Sequence, residues 1–136
     1  MKRFADAHWA GSGAEGSGHL STQSGVFKAQ PYSFKTRFGD ENGTNPEELI
    51  AAAHAGCYTM QLSFNLSNAG FVPTTIDTHA DLTFADGAIK SIHLTVNAAV
   101  PGVELEKFQE LAQHAKANCP ISKVLNTEIT MTATVV

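Results

Sequence analysis

The chain has 136 residues, 43% of them hydrophobic, which suits one ordinary globular domain with one substantial core. A net charge of −4 offers no electrostatic footprint for nucleic acid or for an anionic membrane. No apolar run reaches the ~18 uninterrupted residues of a transmembrane span, and Met1-Lys2-Arg3 leads into Phe-Ala-Asp-Ala-His-Trp instead of an apolar signal region. The expectation is a soluble cytoplasmic protein forming a single domain over residues 1–136.

Residues 1–25 carry Gly11, Gly13, Gly16, Gly18 and Gly25 among small polar residues. Short strands over Phe4–Trp9 and His19–Ser24, joined by a flexible turn, fit this composition. The glycines lack the strand-to-helix setting and the Gly-Lys-Ser/Thr ending of a phosphate loop, so nucleotide binding is discounted. From Tyr32 to Phe38, Tyr32, Phe34, Thr36 and Phe38 alternate with Ser33, Lys35 and Arg37. Strict alternation predicts a half-buried strand, with Arg37 at its end and the polar loop Gly39–Gly43 following.

A long helix comes next. Asn45 is a good N-cap, Pro46 stands at the first helical position, and Glu48 lies three past the cap, an Asn variant of a capping box. Glu47 and Glu48 also complement the positive end of the helix dipole. With Gly70 as the stop, the helix has roughly 23 residues and spans ~35 Å. Between Leu49 and Met60 the only polar groups are His54, Thr59 and the Tyr58 hydroxyl. A helix that is apolar all round belongs at the centre of a fold. Cys57 lies in its middle.

Beyond Gly70, Ile76–Phe84 and Ile92–Ala98 alternate as two strands around Asp86-Gly87. Pairing Ile76 with Val96, Thr78 with Leu94 and Ala80 with Ile92 keeps the apolar faces together through a three-residue loop, with Gly87 left-handed. His79 and His93 then face each other on the polar side, as solvated residues. Glu104–Lys116 carries Leu105, Phe108, Leu111, Ala112 and Ala115 at helical spacing, with acids early and Lys116 late. Asn118-Cys119-Pro120 opens a second, short helix capped by Cys119, and Glu128–Val135 alternates as a last strand. The class is α+β, with antiparallel sheet packed on helices.

Two cysteines in a domain of this size do not call for a structural disulfide, and a pair of buried inert thiols is the plain reading. Cys57 on an apolar helix has a raised pKa and becomes a nucleophile only if a fixed cation favours its thiolate. Arg3 and Arg37 are the only arginines, and Arg37 is the one near the helix. Cys119 at a helix N-terminus has its own reason for a lowered pKa.

Three stretches carry a family resemblance: T-N-P-E-E-L-I-A-A-A-H-A-G-C ending at Cys57, A-K-A-N-C-P-I-S-K-V-L around Cys119, and P-Y-S-F-K-T-R-F around Arg37. They resemble the OsmC/Ohr proteins, small bacterial thiol peroxidases that reduce organic hydroperoxides, and they follow the family's order over most of the chain. The arginine within Y-S-F-K-T-R-F, shortly before the helix, is similar to the OsmC branch. The resemblance implies an OsmC-like fold, with sheets around a long central helix and two chains intertwined as a homodimer. It implies Cys57 as the peroxidatic residue and Cys119 as the resolving one. It also implies Arg37 as the residue that holds the thiolate and steers the hydroperoxide, with Glu47 as its partner. A role in defence against oxidative and osmotic stress follows, with no metal or organic cofactor and an external dithiol, lipoyl-type, as reductant. Gly56 departs from the family, whose helices often carry alanine there; it costs ~1 kcal/mol of helix propensity.

Other chemistries are open to the same residues. His54-x2-Cys57 and His114-x4-Cys119 can be drawn as a Cys2His2 zinc site, although His114 and Cys119 fall across a helix end. Metal analysis discriminates. A Cys57–His54 hydrolase would turn over esters without Cys119, and a catalytically silent stress-related binding protein would leave both thiols inert to mild peroxide.

Overall fold

The computed structural model of the protein describes residues 1–136. The chain divides into two compact units, Met1–Leu49 and Ile50–Val136. No helix is long and apolar enough to cross a membrane.

In the first unit, β1 (Ala5–Ala10), β2 (Ser17–Thr22) and β3 (Gln30–Ser33) form an antiparallel sheet in that order. One glycine of β2 has a packing reason. A Cβ at Gly18 would meet the His8 carbonyl oxygen and stand 2.6 Å from the Trp9 ring.

The strand expected over Tyr32–Phe38 stops at Ser33, and Phe34–Phe38 turns instead into a short helix, α1. A capping box causes the switch. Ser33 Oγ accepts from the Thr36 N–H at 3.3 Å, and Thr36 Oγ1 accepts from the Ser33 N–H at 2.8 Å. Alternation at Phe34, Thr36 and Phe38 is also i,i+4 spacing for the two phenylalanines, whose ring centroids lie 5.1 Å apart on one helix face. Arg37 is therefore on a helix and not at a strand end.

Helix α2 (Pro46–Asn68) begins in this unit. Asn45 Oδ1 accepts from the Glu48 N–H at 2.8 Å, as its position predicts. The reciprocal half of the box is replaced, because Glu48 Oε2 accepts from the Thr44 hydroxyl at 2.9 Å.

The second unit contains the rest of α2, then β4 (Thr75–Ala85), β5 (Ala88–Ala99), α3 (Leu105–Asn118), α4 (Pro120–Val124) and β6 (Glu128–Val135). α2 ends at the left-handed Gly70 (φ 92°), with Gly70 N–H on Ser67 O and Phe71 N–H on Leu66 O. These are the two bonds of a Schellman stop.

β4 and β5 pair antiparallel, but Ile76 faces Ala98, Thr78 faces Val96 and Ala80 faces Leu94. The expected register is displaced by two residues, which keeps each side chain on its expected face. The loop explains the displacement. Asp86 (φ 53°) and Gly87 (φ 75°) are both left-handed and form a two-residue turn between Ala85 and Ala88, with an irregularity at Thr83/Phe84. His79 accordingly lies opposite Thr95 and bonds Asp81, while His93 bonds Thr130 and Thr132.

β6 runs parallel to β5, so this sheet is mixed where an antiparallel one was expected. The reason is topological: α3 and α4 form the crossover that a parallel neighbour requires.

The core of the second unit is the inner face of β5 (Ile92, Leu94, Val96, Ala98) against Tyr58, Leu62 and Leu66 of α2 and Phe108, Ala112 and Ala115 of α3. α2 is not covered all round. It buries only the ridge His54, Tyr58, Leu62 and Leu66. Ala52, Ala53, Gly56, Met60 and Phe64 remain exposed, Met60 to 64% and Phe64 to 59%.

Candidate active site

The second unit brings the two cysteines together. Cys57 on α2 and Cys119 at the start of α4 are free thiols with their Sγ atoms 2.8 Å apart. They differ in access: Cys119 is fully buried and Cys57 is half-buried.

The local sequence accounts for both positions. Cys57 precedes Tyr58, a member of the buried α2 ridge, and so lies at the ridge's margin. Cys119 follows the α3 ridge Phe108, Ala112 and Ala115 at the next helical step, and its N–H still bonds Ala115 O at 2.9 Å. Pro120 then begins α4, for which Cys119 is the N-cap residue without a side-chain capping bond.

Burial pushes the Cys57 thiol above its ordinary pKa, and the adjoining Cys119 thiol adds to this; a hydrogen bond from the Ile121 backbone N–H pulls the other way without reversing it. A thiolate at Cys57 therefore needs positive charge beyond what these neighbours supply.

Beside the sulfurs is a second contact that the sequence pattern did not assign. His54 Nε2 and Ser122 Oγ are 2.8 Å apart. His54 is fully buried, and its Nδ1 has no partner. The Nε2–H tautomer is the economical one, because it leaves an acceptor rather than a donor unpaired. Ser122 stands three residues after Cys119 as His54 stands three before Cys57. That matched spacing is the only trace it left in the sequence.

The first unit holds the other two predicted residues, again as a pair. Arg37 Nε donates to both Glu47 carboxylate oxygens, at 3.0 and 3.1 Å, and Arg37 Nη2 donates to Oε1 at 2.6 Å. The hydrogen bond to Glu47 raises the guanidinium pKa against a smaller opposing effect of burial. Burial works to raise the Glu47 carboxyl, but the hydrogen bonds of Arg37, a backbone N–H bond and the Arg37 charge together outweigh it and hold the group below its ordinary value. Arg37 Cζ also sits 4.8 Å from the centre of the Phe38 ring. A recess of about 230 Å³ here is lined by Trp9, Tyr32, Phe34, Arg37 and Phe38.

No three His, Cys, Asp or Glu side chains gather as a metal site. The Cys2His2 arrangement is not assembled: His54 is turned to Ser122, and His114 Nδ1 lies 3.1 Å from Asn65 Nδ2.

A family model of OsmC-like proteins matches residues 39–134, a span that includes Glu47, Cys57 and Cys119 and begins two residues past Arg37. The chain is 53% identical over 135 residues to Peroxiredoxin OsmC of Escherichia coli (strain K12), covering 96% of this chain and 94% of that one. The chain belongs to the OsmC-like family. Among solved structures, an OsmC-like protein from Vibrio cholerae superposes with a TM-score of 0.77 at 15% identity, covering 98% of this chain and 99% of that one. The organic hydroperoxide resistance protein OhrB of Bacillus subtilis superposes with a TM-score of 0.67 at 26% identity, covering 96% of this chain and 98% of its own.

His54 gives this OsmC-like protein a specific acid sensitivity. Burial lowers its pKa below the ordinary 6.5, so between 6.5 and the folded value the unfolded chain binds a proton that the folded chain excludes. Stability must fall as pH drops through that window and be free of this penalty above 6.5. Urea unfolding at a series of pH values from 7.5 to 5 should show a larger acid loss for the native chain than for His54→Gln. Parallel pH profiles would remove His54 as the cause.

Proposed function

We propose that this OsmC-like protein is a cysteine-based peroxidase reducing organic hydroperoxides to alcohols, with Cys57 peroxidatic and Cys119 resolving. The observation that carries the reading is the 2.8 Å approach of the two sulfurs, with Cys57 the accessible member and Cys119 the sealed one. The names of its relatives support it: peroxiredoxin in the E. coli protein and organic hydroperoxide resistance in the B. subtilis one.

In the cycle, the Cys57 thiolate attacks the distal oxygen of R-O-O-H. The O–O bond breaks, the alkoxide leaves and takes up a proton as alcohol, and Cys57 becomes a sulfenic acid. The Cys119 sulfur then attacks that sulfenic sulfur, the S–S bond forms, and hydroxide leaves with the thiol proton as water. An external dithiol, of lipoyl type, returns both thiols by exchange and is itself oxidised to a disulfide. No organic cofactor or metal enters the scheme. The physiological setting is defence against oxidative and osmotic stress.

Arg37 is assigned the cation that favours the Cys57 thiolate, because the groups around Cys57 in its own unit leave its pKa raised. Glu47 acts through Arg37: its bidentate grip fixes the plane of the guanidinium. The aromatic recess beside Arg37 is assigned the organic tail of the substrate. We further assign a homodimer, with residues 1–136 of each chain as one functional domain. Its support is the uncovered apolar face of α2, where Met60 and Phe64 stand exposed and a Cβ at Gly56 would meet nothing within 4 Å.

Cys57→Ser should abolish turnover, and Arg37→Ala should slow the oxidation of Cys57. Mass spectrometry after one equivalent of organic hydroperoxide should show a Cys57–Cys119 link within one chain. An unchanged oxidation rate in Arg37→Ala would take the arginine out of the mechanism, and an interchain disulfide would count against the resolving role.

Burying an alkyl tail is worth ~0.8 kcal/mol per methylene, so a four-carbon tail contributes ~3 kcal/mol, roughly a hundredfold in kcat/KM. tert-Butyl and cumene hydroperoxide should exceed hydrogen peroxide by that order, with dihydrolipoamide a better reductant than glutathione. Equal kcat/KM for the three peroxides would show that the tail is not read.

Light scattering at low micromolar concentration should give twice the 14.4 kDa chain mass. A fully active monomer would refute the dimer.

A further inference from the structure

α4 has little to hold it in place. It is five residues long, buries no side chain of its own and begins at a proline, and a helix of that length has no stability in isolation. Yet it carries Cys119 at its threshold, and condensation with a sulfenic acid requires that sulfur to stay within reach while an oxygen atom is added between the two.

The contacts between α2 and α4 are arranged in register. Cys57 meets Cys119, and one turn back along α2 His54 meets Ser122, one turn forward along α4. The two segments thus run antipararallel in this region, joined at two points a helical turn apart. One contact would leave α4 free to swing about it; two fix its rotation as well as its position. The thiol contact is the one that chemistry disrupts in every cycle. The His54–Ser122 bond involves neither sulfur and can persist throughout.

We propose that His54 and Ser122 form a positioning pair that keeps Cys119 poised over Cys57 after its oxidation, so that the disulfide closes before a second peroxide arrives. The proposal rests on the peroxidatic and resolving roles given to the two cysteines. A sulfenic acid has two fates here: attack by the Cys119 sulfur, releasing water, or attack on a second hydroperoxide, which gives sulfinic acid and another alcohol. His54 suits the task because it is buried and has its hydrogen bond sheltered from competing water. Its ring contacts α4 through Nε2, the atom that the amide nitrogen of a glutamine can replace, whereas leucine at this position offers no polar atom.

The readout is a partition. Protein at fixed concentration is treated with graded organic hydroperoxide, quenched with acid and scored by mass spectrometry for disulfide against Cys57 sulfinic acid. Ser122→Ala should lower the ratio of closure to over-oxidation roughly five- to tenfold, the population factor expected for one lost hydrogen bond. Ser122→Thr, which keeps the hydroxyl, should restore it. His54→Leu should behave as Ser122→Ala does, the double variant should be no worse than either single one, and His54→Gln should recover much of the loss.

A Ser122→Ala partition equal to that of the native chain would overturn the positioning role while leaving the peroxidase reading intact. Additive losses in the double variant would also overturn it, since the two residues would then act separately. If the native chain itself forms no Cys57–Cys119 disulfide under peroxide, the reading of the cysteines fails first and the positioning role falls with it.

Discussion

The second unit depends on one act of burial, the seating of the α2 ridge against β5 and α3. His54, Tyr58, Leu62 and Leu66 recur every four residues, and each lies at zero exposure. Each large apolar side chain so buried contributes about 1.5–3 kcal/mol, enough together to fix the rotation of the helix about its axis. That rotation decides where residue 57 points. A ridge centred one residue earlier would have sealed Cys57 inside, and the thiol accessible at the margin would have been lost. α3 supplies the matching half: Phe108, Ala112 and Ala115 form its buried ridge, and Cys119 occupies the next step of the same series. The sulfurs meet because two ridges meet.

Burial has a cost at the same place. A thiol at this margin is harder to ionise than one in water, and the adjoining Cys119 makes it harder still. The Ile121 N–H offsets only part of this. In the proposed cycle that reactivity is supplied as charge, a task assigned to one of the chain's two arginines. Arg37 is the one fixed by a carboxylate. Glu47 is largely shielded from solvent and accepts from Nε and Nη2 along one edge of the guanidinium, so the pair is oriented in a way that a lone surface arginine is not. The net effect of Glu47 on stability is small for so exposed a partner; its consequence is geometric.

Much of this could be read from the chain. The bounds of α2, its Asn45 cap and its Gly70 stop follow from local chemistry that acts within a few residues, and the structure realises all three. The last strand, Glu128–Val135, matches residue for residue. Misreadings arose where two periods fit the same letters or where the answer was not local. Phe34 and Phe38 satisfy a strand and a helix equally, and the Ser33–Thr36 capping box decided between them. The β4–β5 register depended on whether Asp86 would adopt a left-handed conformation along with Gly87. The parallel direction of β6 depended on the crossover as a whole. Cys57, Cys119, Arg37 and Glu47 could be named from motifs, but Ser122 could not. Its partner is far away in sequence, and no local pattern marks a serine that bonds a buried histidine.

The difference in access between the two thiols also orders the events of the proposed cycle. A hydroperoxide arriving from solvent meets the half-buried Cys57 and has no path to a Cys119 of zero exposure. Once the disulfide has formed, the same geometry governs its reduction: an incoming thiolate must approach in line with the S–S bond, and the reachable sulfur is again that of Cys57. Cys119 then leaves as the displaced thiol, at the threshold of a short helix that the His54–Ser122 bond still holds. Reduction thus retraces the route of oxidation, with one sulfur exchanging partners and the other returning to the position from which it started.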